Sequence, residues 1–387
     1  MKKALMLASV PSMIEQFNMN NIKILQNMGY EVHVACNFDD GGTLDKSRVD
    51  EFKKELKEKN IIFFNIPFSR NPFSIKNITA YKETKKIMNE NKYKIVHLHS
   101  PIGGLCGRLA ARRIRKDENS RVIYTAHGFH FFKGAPALNW IIYYPIERWL
   151  AKYTDCLITI NNEDYELAKN KFKINKIEYI PGIGVDSNKF NFSITQEEKH
   201  NIRSKISLED DDFICIQVGE LNKNKNQIMT LEAMRLVIEQ YKDVKLLLVG
   251  TGNLEEYYRE KIKEYNLEKN VFLLGYRKDV NNLLKISNLL ISTSKREGLP
   301  VNIIEAMFTK LPVIATDCRG NRDLVVNGIN GYIVKIGDVK NLKDRIIELK
   351  INKQQTKEFE NYFKEAINLY STKNIEKEIL DKKIYSV

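Results

Sequence analysis

A chain of 387 residues with a 43% hydrophobic fraction is long enough for two domains with substantial cores. No apolar run approaches the length of a membrane span, and MKKALMLASV turns polar at Pro11 and Ser12, so neither a spanning helix nor a signal peptide is expected. The net charge of +13 is uneven: residues 1–195 hold 30 Lys and Arg against 20 Asp and Glu, while residues 196–387 hold 32 against 29. A basic first half implies an acidic partner surface, and no recognised nucleic-acid module appears, so an anionic membrane face or a phosphate-bearing lipid is expected in place of nucleic acid. The five cysteines, at 36, 106, 156, 215 and 318, are scattered and lack metal spacing. They read as reduced core thiols of a cytoplasmic protein.

In chain order, KKALMLAS (2–9) reads as a first strand, followed by a loop and a helix over roughly 14–28. GYEVHVACN (29–37) is a second strand, FKKELKEKN an exposed helix, IIFFNIPF (61–68) a strand and ITAYKETKKIMNENK a helix. KIVHLHS (94–100), the helix GGLCGRLAARRIRK and the strand RVIYTAHG (121–128) continue the alternation. A second series runs from DFICIQVG (212–219) through helix 226–240, strand 244–250, helix 254–265 and strand 270–275. It closes with NLLISTS (288–294), a short apolar helix, PVIATD (312–317), GYIVKI (331–336) and a helix from about 338. Alternating strands and helices predict an α/β protein with parallel sheets. Two series joined near 190–205 predict two facing Rossmann-like domains, at 1–195 and 196–365. The charged helical tail, 366–387, is expected to pack back on the N-terminal domain.

The stretch EGLPVNIIE (297–305) sits between two apolar runs, as strand, loop, helix and strand. Pro300 suits the first helical turn. Glu305 lies among Val301, Ile303, Ile304, Ala306 and Met307, where a carboxylate is costly unless something pairs with it. Glu297 falls in the loop at the helix entrance. A strand's carboxyl end, a helix amino terminus and two carboxylates meet there, and that is where open α/β sheets bind ligands and anions. Read alone, the stretch equally allows one glutamate capping a helix and another in solvent.

Four other segments carry chemistry in principle. Asp210, Asp211 and Asp212 match a metal-binding DxD but abut a strand and read as a solvated turn. His97, His99, His127 and His130 have spacings that could ligate a metal, yet strand-end histidines are more commonly hydrogen-bonded polar groups. ARRIRK (111–116) reads as the wet face of a helix. ALNWIIYYPIERWLAKY (137–153) holds both tryptophans, three tyrosines, Arg148 and Lys152. It fits a bilayer interface, and equally a core helix with snorkelling charges.

The assembled pattern resembles the GT-B glycosyltransferases of the large retaining family 4, which use nucleotide-sugar donors. The resemblance rests on VGELNKNKN (218–226), LLLVGTGN (246–253), VFLLGYRKDV (271–280) and EGLPVNIIEA (297–306). In the first half, TAHGFHFFKGAP (125–136), ITINNEDYELA (158–168) and IPGIGVD (180–186) look like the subgroup that builds bacterial capsular or exopolysaccharide repeat units. The resemblance implies that Glu305 binds the ribose of the donor nucleotide and that Glu297 lies near the donor sugar. Lys225 would contact the diphosphate, whose charge grows as the glycosidic bond breaks. His127 would face the sugar from the first domain. Amides near Gly298 and Leu299 would bond the sugar, those near Val301 and Asn302 would face phosphate, and Gly250, Tyr276 and Arg277 would complete the donor pocket. Two departures stand out. Many members have Arg where this chain has Glu220, with Lys223 as a substitute charge, and SVPSMIEQ (9–16) replaces a Gly-Gly in the first strand–helix loop, leaving Ser9 and Ser12 there.

On that resemblance the expected activity is retaining transfer of a hexose, deoxyhexose or N-acetylhexosamine. The donor would be a UDP-sugar and the acceptor a polyprenyl-diphosphate-linked glycan, at the inner face of the cell membrane. Neither a metal nor another cofactor is expected. The alternatives are a nucleotide-sugar epimerase or sugar phosphorylase of the same architecture, and a non-catalytic basic protein of the membrane periphery.

Overall fold

The computed structural model describes residues 1–190, 192–352, 359, 362, 363 and 366–386. The chain divides into two compact units, Met1–Ile183 with Thr372–Val387, and Gly184–Ser371.

The first unit is built on a seven-stranded sheet: β1 (Lys2–Leu7), β2 (Tyr30–Cys36), β3 (Ile62–Asn65), β4 (Ile95–His99), β5 (Arg121–Ala126), β6 (Cys156–Thr159) and β7 (Lys176–Tyr179). All pairings are parallel and the order is β3-β2-β1-β4-β5-β6-β7. Helices cover both faces, which is why β4 is buried along its whole length. Alternate residues of β1 feed different cores. Ala4 and Met6 join Val32, Val34 and Phe52, whereas Leu5 and Leu7 join Val96, Leu98 and Phe131.

The second unit has β8 (Phe213–Val218), β9 (Val244–Val249), β10 (Val271–Leu273), β11 (Leu289–Ser292), β12 (Val313–Thr316) and β13 (Gly331–Val334), ordered β10-β9-β8-β11-β12-β13 and again parallel. Strand order reverses between β1 and β4, and between β8 and β11. A crevice opens outside the carboxyl ends of the strands at each reversal.

Several elements differ from the sequence reading. β6, β7 and the intervening helix Asn162–Lys171 extend the first sheet, where four-residue strands gave too short an alternation to register. The helix expected over 14–28 is two, Pro11–Phe17 and Met19–Asn27. They break at Asn18, whose side chain turns back to donate to the Met13 carbonyl at 2.8 Å. The second unit begins at Gly184, not after 195, because Val185 N–H donates to the Tyr370 carbonyl at 2.9 Å and helix Ser187–Phe190 packs beside helix Val301–Phe308. The segment returning to the first unit starts at Thr372, not 366. Its Tyr385 hydroxyl lies 2.9 Å from His97 Nδ1 inside the first core. Of the expected tail, residue 387 lies outside the described residues.

Helix Ala137–Leu150 is fixed to helix Pro101–Ala110 by a bidentate pair. Arg108, 2% exposed, meets Glu147 at 2.8 and 3.0 Å and lies 4.0 Å from the Tyr124 ring centroid. Removing one member leaves the other's charge buried and unpaired, which costs about 3–5 kcal/mol. Glu147→Ala is therefore expected to lower the first unit's unfolding free energy by roughly that amount. The matched Arg108→Met, Glu147→Leu pair should recover most of it in chemical denaturation. Equal destabilisation by the single and double substitutions would contradict this account.

Candidate active site

In the second unit the loops after β8 and β11 are stitched together across the strand reversal. Thr293 Oγ1 donates to the carbonyls of Lys225 and Asn226, at 3.1 and 3.0 Å, and accepts from Gln217 Nε2 at 3.0 Å. Asn224 Nδ2 donates to Arg296 O at 2.9 Å, and Lys295 N–H returns a bond to Asn224 O at 2.8 Å. Asn226 takes a left-handed conformation, φ 56°, to turn the loop into helix Gln227–Ile238. The result brings Lys225 Nζ to 2.7 Å from Glu297 Oε1, both largely sheltered from solvent.

The Glu297 carbonyl accepts from Arg319 Nε at 2.9 Å. A Cβ on Gly320 would stand 2.4 Å from the Gly298 carbonyl, so only glycine lets the loop after β12 back the loop after β11 this closely. Pro300 is the N-cap residue of helix Val301–Phe308, and not inside its first turn as expected; its ψ of 114° is extended. No side chain caps this helix end. Among the described residues, the N–H groups of Gly298, Leu299, Val301 and Asn302 find no protein acceptor. Asn302 uses its side chain structurally, donating to Val218 O at 2.8 Å. The site thus presents free amides and a helix dipole beside one lysine, a ready anion cradle.

Glu305 sits on the same helix among buried Ile303, Ile304, Ala306 and Met307. Loss of hydration pushes its carboxyl pKa up to about 7, opposed only by the charge of Lys189. Among the described residues no side chain pairs with this carboxylate, so it is poised to accept hydrogen bonds from something else.

The other expected donor residues are more dispersed. Gly250 follows β9 and serves packing: a Cβ there would stand 2.2 Å from the Gly219 carbonyl, and its φ of 139° favours glycine. Tyr276 is exposed in the loop after β10, and the Arg277 fork is taken up by Asp279 at 2.6 and 2.7 Å. Lys223 and Glu220 are both exposed. Arg319, Thr293 and Gln217 are site-building residues that the sequence reading passed over. The only signal was a polar run ending an apolar strand in ISTS, and Arg-Gly placed just after PVIATD.

In the first unit, His127 follows β5 at the carboxyl end of the sheet. Its Nε2 lies 3.0 Å from His99 Nδ1, while His97 bridges Thr125 Oγ1 and the Tyr385 hydroxyl at 2.8 and 2.9 Å. His99 Nε2 lies 3.1 Å from Met6 Sδ. Burial lowers all three: His127 to about 4, His97 to about 3, and His99 well below its usual value. The Ser9 hydroxyl ties the carboxyl ends of β1 and β4, 2.7 Å from that of Ser100. Two expectations need correction. Asp212 is not solvated; it is buried and accepts from Glu209 N–H at 2.8 Å, at the amino end of β8 and so the far end from Glu297. Trp140 also does not share the outward face of Trp149 and is half-buried. Its ring packs on Phe131 and Tyr144, and its N–H donates to Phe132 O at 3.3 Å.

Residues 198–366 match the family model described as glycosyl transferases group 1, and residues 7–161 match the glycosyl transferase 4-like model. The EpsD protein of Bacillus subtilis is 39% identical over 90% of this chain and 87% of its own length. The chain belongs to the family 4 glycosyltransferases. The UDP-Gal:alpha-D-GlcNAc-diphosphoundecaprenol alpha-1,3-galactosyltransferase of Escherichia coli is 30% identical over 87% of this chain and 84% of that protein. Among solved structures, Anabaena Alr3699/HepE in complex with UDP and glucose superposes with a TM-score of 0.79 at 20% identity, covering both chains in full. That likeness establishes the shared GT-B fold, in which the two units of this glycosyltransferase are its Rossmann-like domains.

The glycosyltransferase should show Glu305 in its pH dependence. Unfolded, Glu305 titrates near 4.5; folded, its pKa is about 7. Between those values the folded state keeps a proton that the unfolded chain has released. The stability associated with Glu305 is therefore full below pH 4.5 and lost as pH rises towards 7, by about 3 kcal/mol. The buried histidines act in the opposite sense, since their lowered values cost stability as pH falls below 6.5. The difference between wild type and Glu305→Gln isolates the carboxyl group. Denaturant titrations should find the glutamine protein gaining on wild type across that window, and a pH-independent difference would refute the assignment.

Proposed function

We propose that the enzyme transfers a sugar, with retention, from a UDP-sugar to a polyprenyl-diphosphate-linked glycan in capsular or exopolysaccharide synthesis. The observation that carries this reading is the Lys225–Glu297 pair, set at the strand reversal beside an uncapped helix end and a desolvated Glu305. Glu305 accepts from the ribose hydroxyls, which return the hydrogen bonds its helix lacks. Lys225 and the amides of Val301 and Asn302 take the diphosphate, while Glu297 and the amides of Gly298 and Leu299 hold the sugar. Lys225 is already neutralised by Glu297, so the free amides and the exposed Lys223 add the charge that a dianionic donor needs. This arrangement assigns no step to a metal ion.

As the anomeric C–O bond breaks, its electron pair passes to the leaving diphosphate. The acceptor hydroxyl attacks from the same face and gives its proton to that phosphate. His127 of the first unit is neutral at physiological pH and so is an uncharged hydrogen-bonding group. The Escherichia coli relative is named for a diphosphoundecaprenol acceptor, and the HepE complexes hold UDP on the same fold, which supports both halves of the proposal.

The test is a donor screen in EDTA with lipid-diphosphate acceptors, with products read by mass spectrometry and anomeric configuration by NMR. Lys225→Ala is expected to lower kcat by roughly a hundred- to a thousandfold, the scale of losing one transition-state donor. Glu305→Gln should weaken UDP binding by about 1.5–3 kcal/mol in calorimetry, the scale of hydrogen bonds to a charged group. Normal turnover by the lysine variant, or unchanged UDP affinity in the glutamine variant, would remove those roles.

A lipid-linked acceptor requires the enzyme at a membrane surface. No helix among the described residues is long and apolar enough to cross one. Helix Ala137–Leu150, however, turns apolar side chains outward: Leu138 is 62% exposed, Ile141 69% and Trp149 45%. We place this face at an anionic inner leaflet. Wild type should sediment with anionic vesicles and less with neutral ones, and high salt should remove only part of the binding. Ile141→Asp with Trp149→Ala should abolish the salt-resistant part. Equal binding to both vesicle types would refute membrane docking while leaving the transfer reaction intact.

A further inference from the structure

The first unit carries a second concave surface, at the end of its sheet opposite His127. Arg121 opens β5, Asp155 precedes β6 and Lys176 opens β7, while helix Arg112–Asp117 adds Arg112, Arg115 and Lys116. Together with Lys152 they line a cleft of about 750 Å³. Six cations face one carboxylate. Asp155 is fully engaged, meeting Arg115 Nε at 2.9 and 3.0 Å and accepting from Val122 N–H at 2.8 Å.

The cations divide into floor and rim. On the floor, Arg115 is held by Asp155, Arg121 donates to the Ser386 carbonyl and Lys176 to that of Lys382. At the rim, Arg112, Lys116 and Lys152 make no ion pair among the described residues. Two of them are steadied by aromatic faces in place of carboxylates. Arg112 lies 4.8 Å over the Tyr153 ring, and Lys152 lies 5.0 and 5.1 Å over Tyr153 and Trp149. A ring positions a cation without cancelling its charge. Elsewhere in the same unit Arg48 shows the ordinary alternative, ringed by Glu15, Glu51 and Glu55. The cleft thus holds uncompensated, positioned charge, the requirement for a phosphate-sized anion.

Trp149 connects this cleft to the outward apolar face of helix Ala137–Leu150. Near that helix's start the Asn139 amide donates to the His130 carbonyl at 2.9 Å, and just past its end Lys152, in the turn Ala151–Tyr153, reaches the cleft. The helix's 14 residues span about 21 Å. A soluble polyanion would use the cations and leave the apolar ridge uncovered; a bilayer surface satisfies both. We infer that the cleft lined by Arg112, Lys116 and Lys152 is a headgroup site that seats the phosphates of anionic lipids. By holding the far end of the helix, it lays the helix flat along the bilayer with the His127 loop at its other end. The inference rests on the membrane docking proposed above and adds a specific site and an orientation to it.

The experiment compares two triple variants with the same change in net charge, using the full-length enzyme and phosphatidylglycerol–phosphatidylcholine vesicles. One is Arg112→Ala, Lys116→Ala, Lys152→Ala. The other is Lys54→Ala, Lys57→Ala, Lys59→Ala, at exposed positions at the end of helix Lys46–Glu58, away from the cleft. The cleft triple should bind on the order of a hundredfold more weakly than wild type, at about fivefold per cation near an anionic surface. The control triple should stay within about fivefold of wild type, and both should keep its unfolding midpoint. If the cleft triple misfolds, the exposed single variant Lys116→Glu, with about a tenfold loss expected, gives the same reading. Equal losses in the two triples would show net charge acting without a site and overturn the inference, while leaving docking itself standing. Wild type that ignores anionic vesicles would overturn both. Inorganic phosphate that displaces vesicles better than chloride at matched ionic strength would identify a soluble phosphate site and overturn the lipid assignment.

Discussion

A lysine and a glutamate 72 positions apart meet at 2.7 Å because strand order reverses between β8 and β11. Neighbouring strands normally send their following helices to the same side of the chain's advance; at the reversal they part and leave a gap at the carboxyl ends. Thr293 bridges that gap, and close backbone contacts hold the loops on either side of it. Gly250 lies against the Gly219 carbonyl, Gly320 against that of Gly298, and Thr293 bonds two carbonyls of the opposite loop. Only then are Lys225, Glu297 and the bare helix end close enough to act on one ligand. Gly250, Gly320 and Thr293 are given no ligand contact, yet the functional groups at the site depend on the loop positions they permit.

The fold was legible because alternation of apolar runs and amphipathic stretches survives in nearly every segment of the chain. What failed to register was short: β6 and β7, four residues each, and the break at Asn18, which depends on a side chain folding back on its own helix. Glu305 could be singled out from sequence because a carboxylate contradicts its apolar neighbours, and its raised pKa has the same origin. Trp140 could not be told from Trp149, since aromatic content alone does not say which face of a helix is covered. Asp212 misled for a similar reason. Three consecutive acids look solvated, but the backbone turn aims one of them inward at Glu209 N–H. Arg319 was invisible because its role is to hold a carbonyl, and a carbonyl has no sequence signature.

The two units divide the electrostatic work in different ways. The first half of the chain holds the cationic excess, and two of its cations, Arg112 and Lys152, are positioned against aromatic rings without an ion pair among the described residues. The second half is nearly balanced although it is the proposed home of a dianionic donor. In the proposed site, positive potential comes mainly from oriented amides and the paired Lys225, with the exposed Lys223 beside them. These act over a single helical turn, whereas the first unit's charges act over a surface.

That difference matters for the direction of the proposed reaction. A nucleoside diphosphate leaves with more negative charge than it carried as a sugar ester. A site built from many free lysines would bind this product more tightly than the donor and slow its release. Amides and a lysine held by Glu297 respond differently. The ion pair can loosen as charge gathers on the leaving oxygen, so the lysine's attraction grows mainly along the bond-breaking coordinate. After transfer the proton of the acceptor hydroxyl rests on the phosphate and lowers its charge again. In the proposed reaction Glu297 then takes Lys225 back, so the same ion pair would also help to release the product.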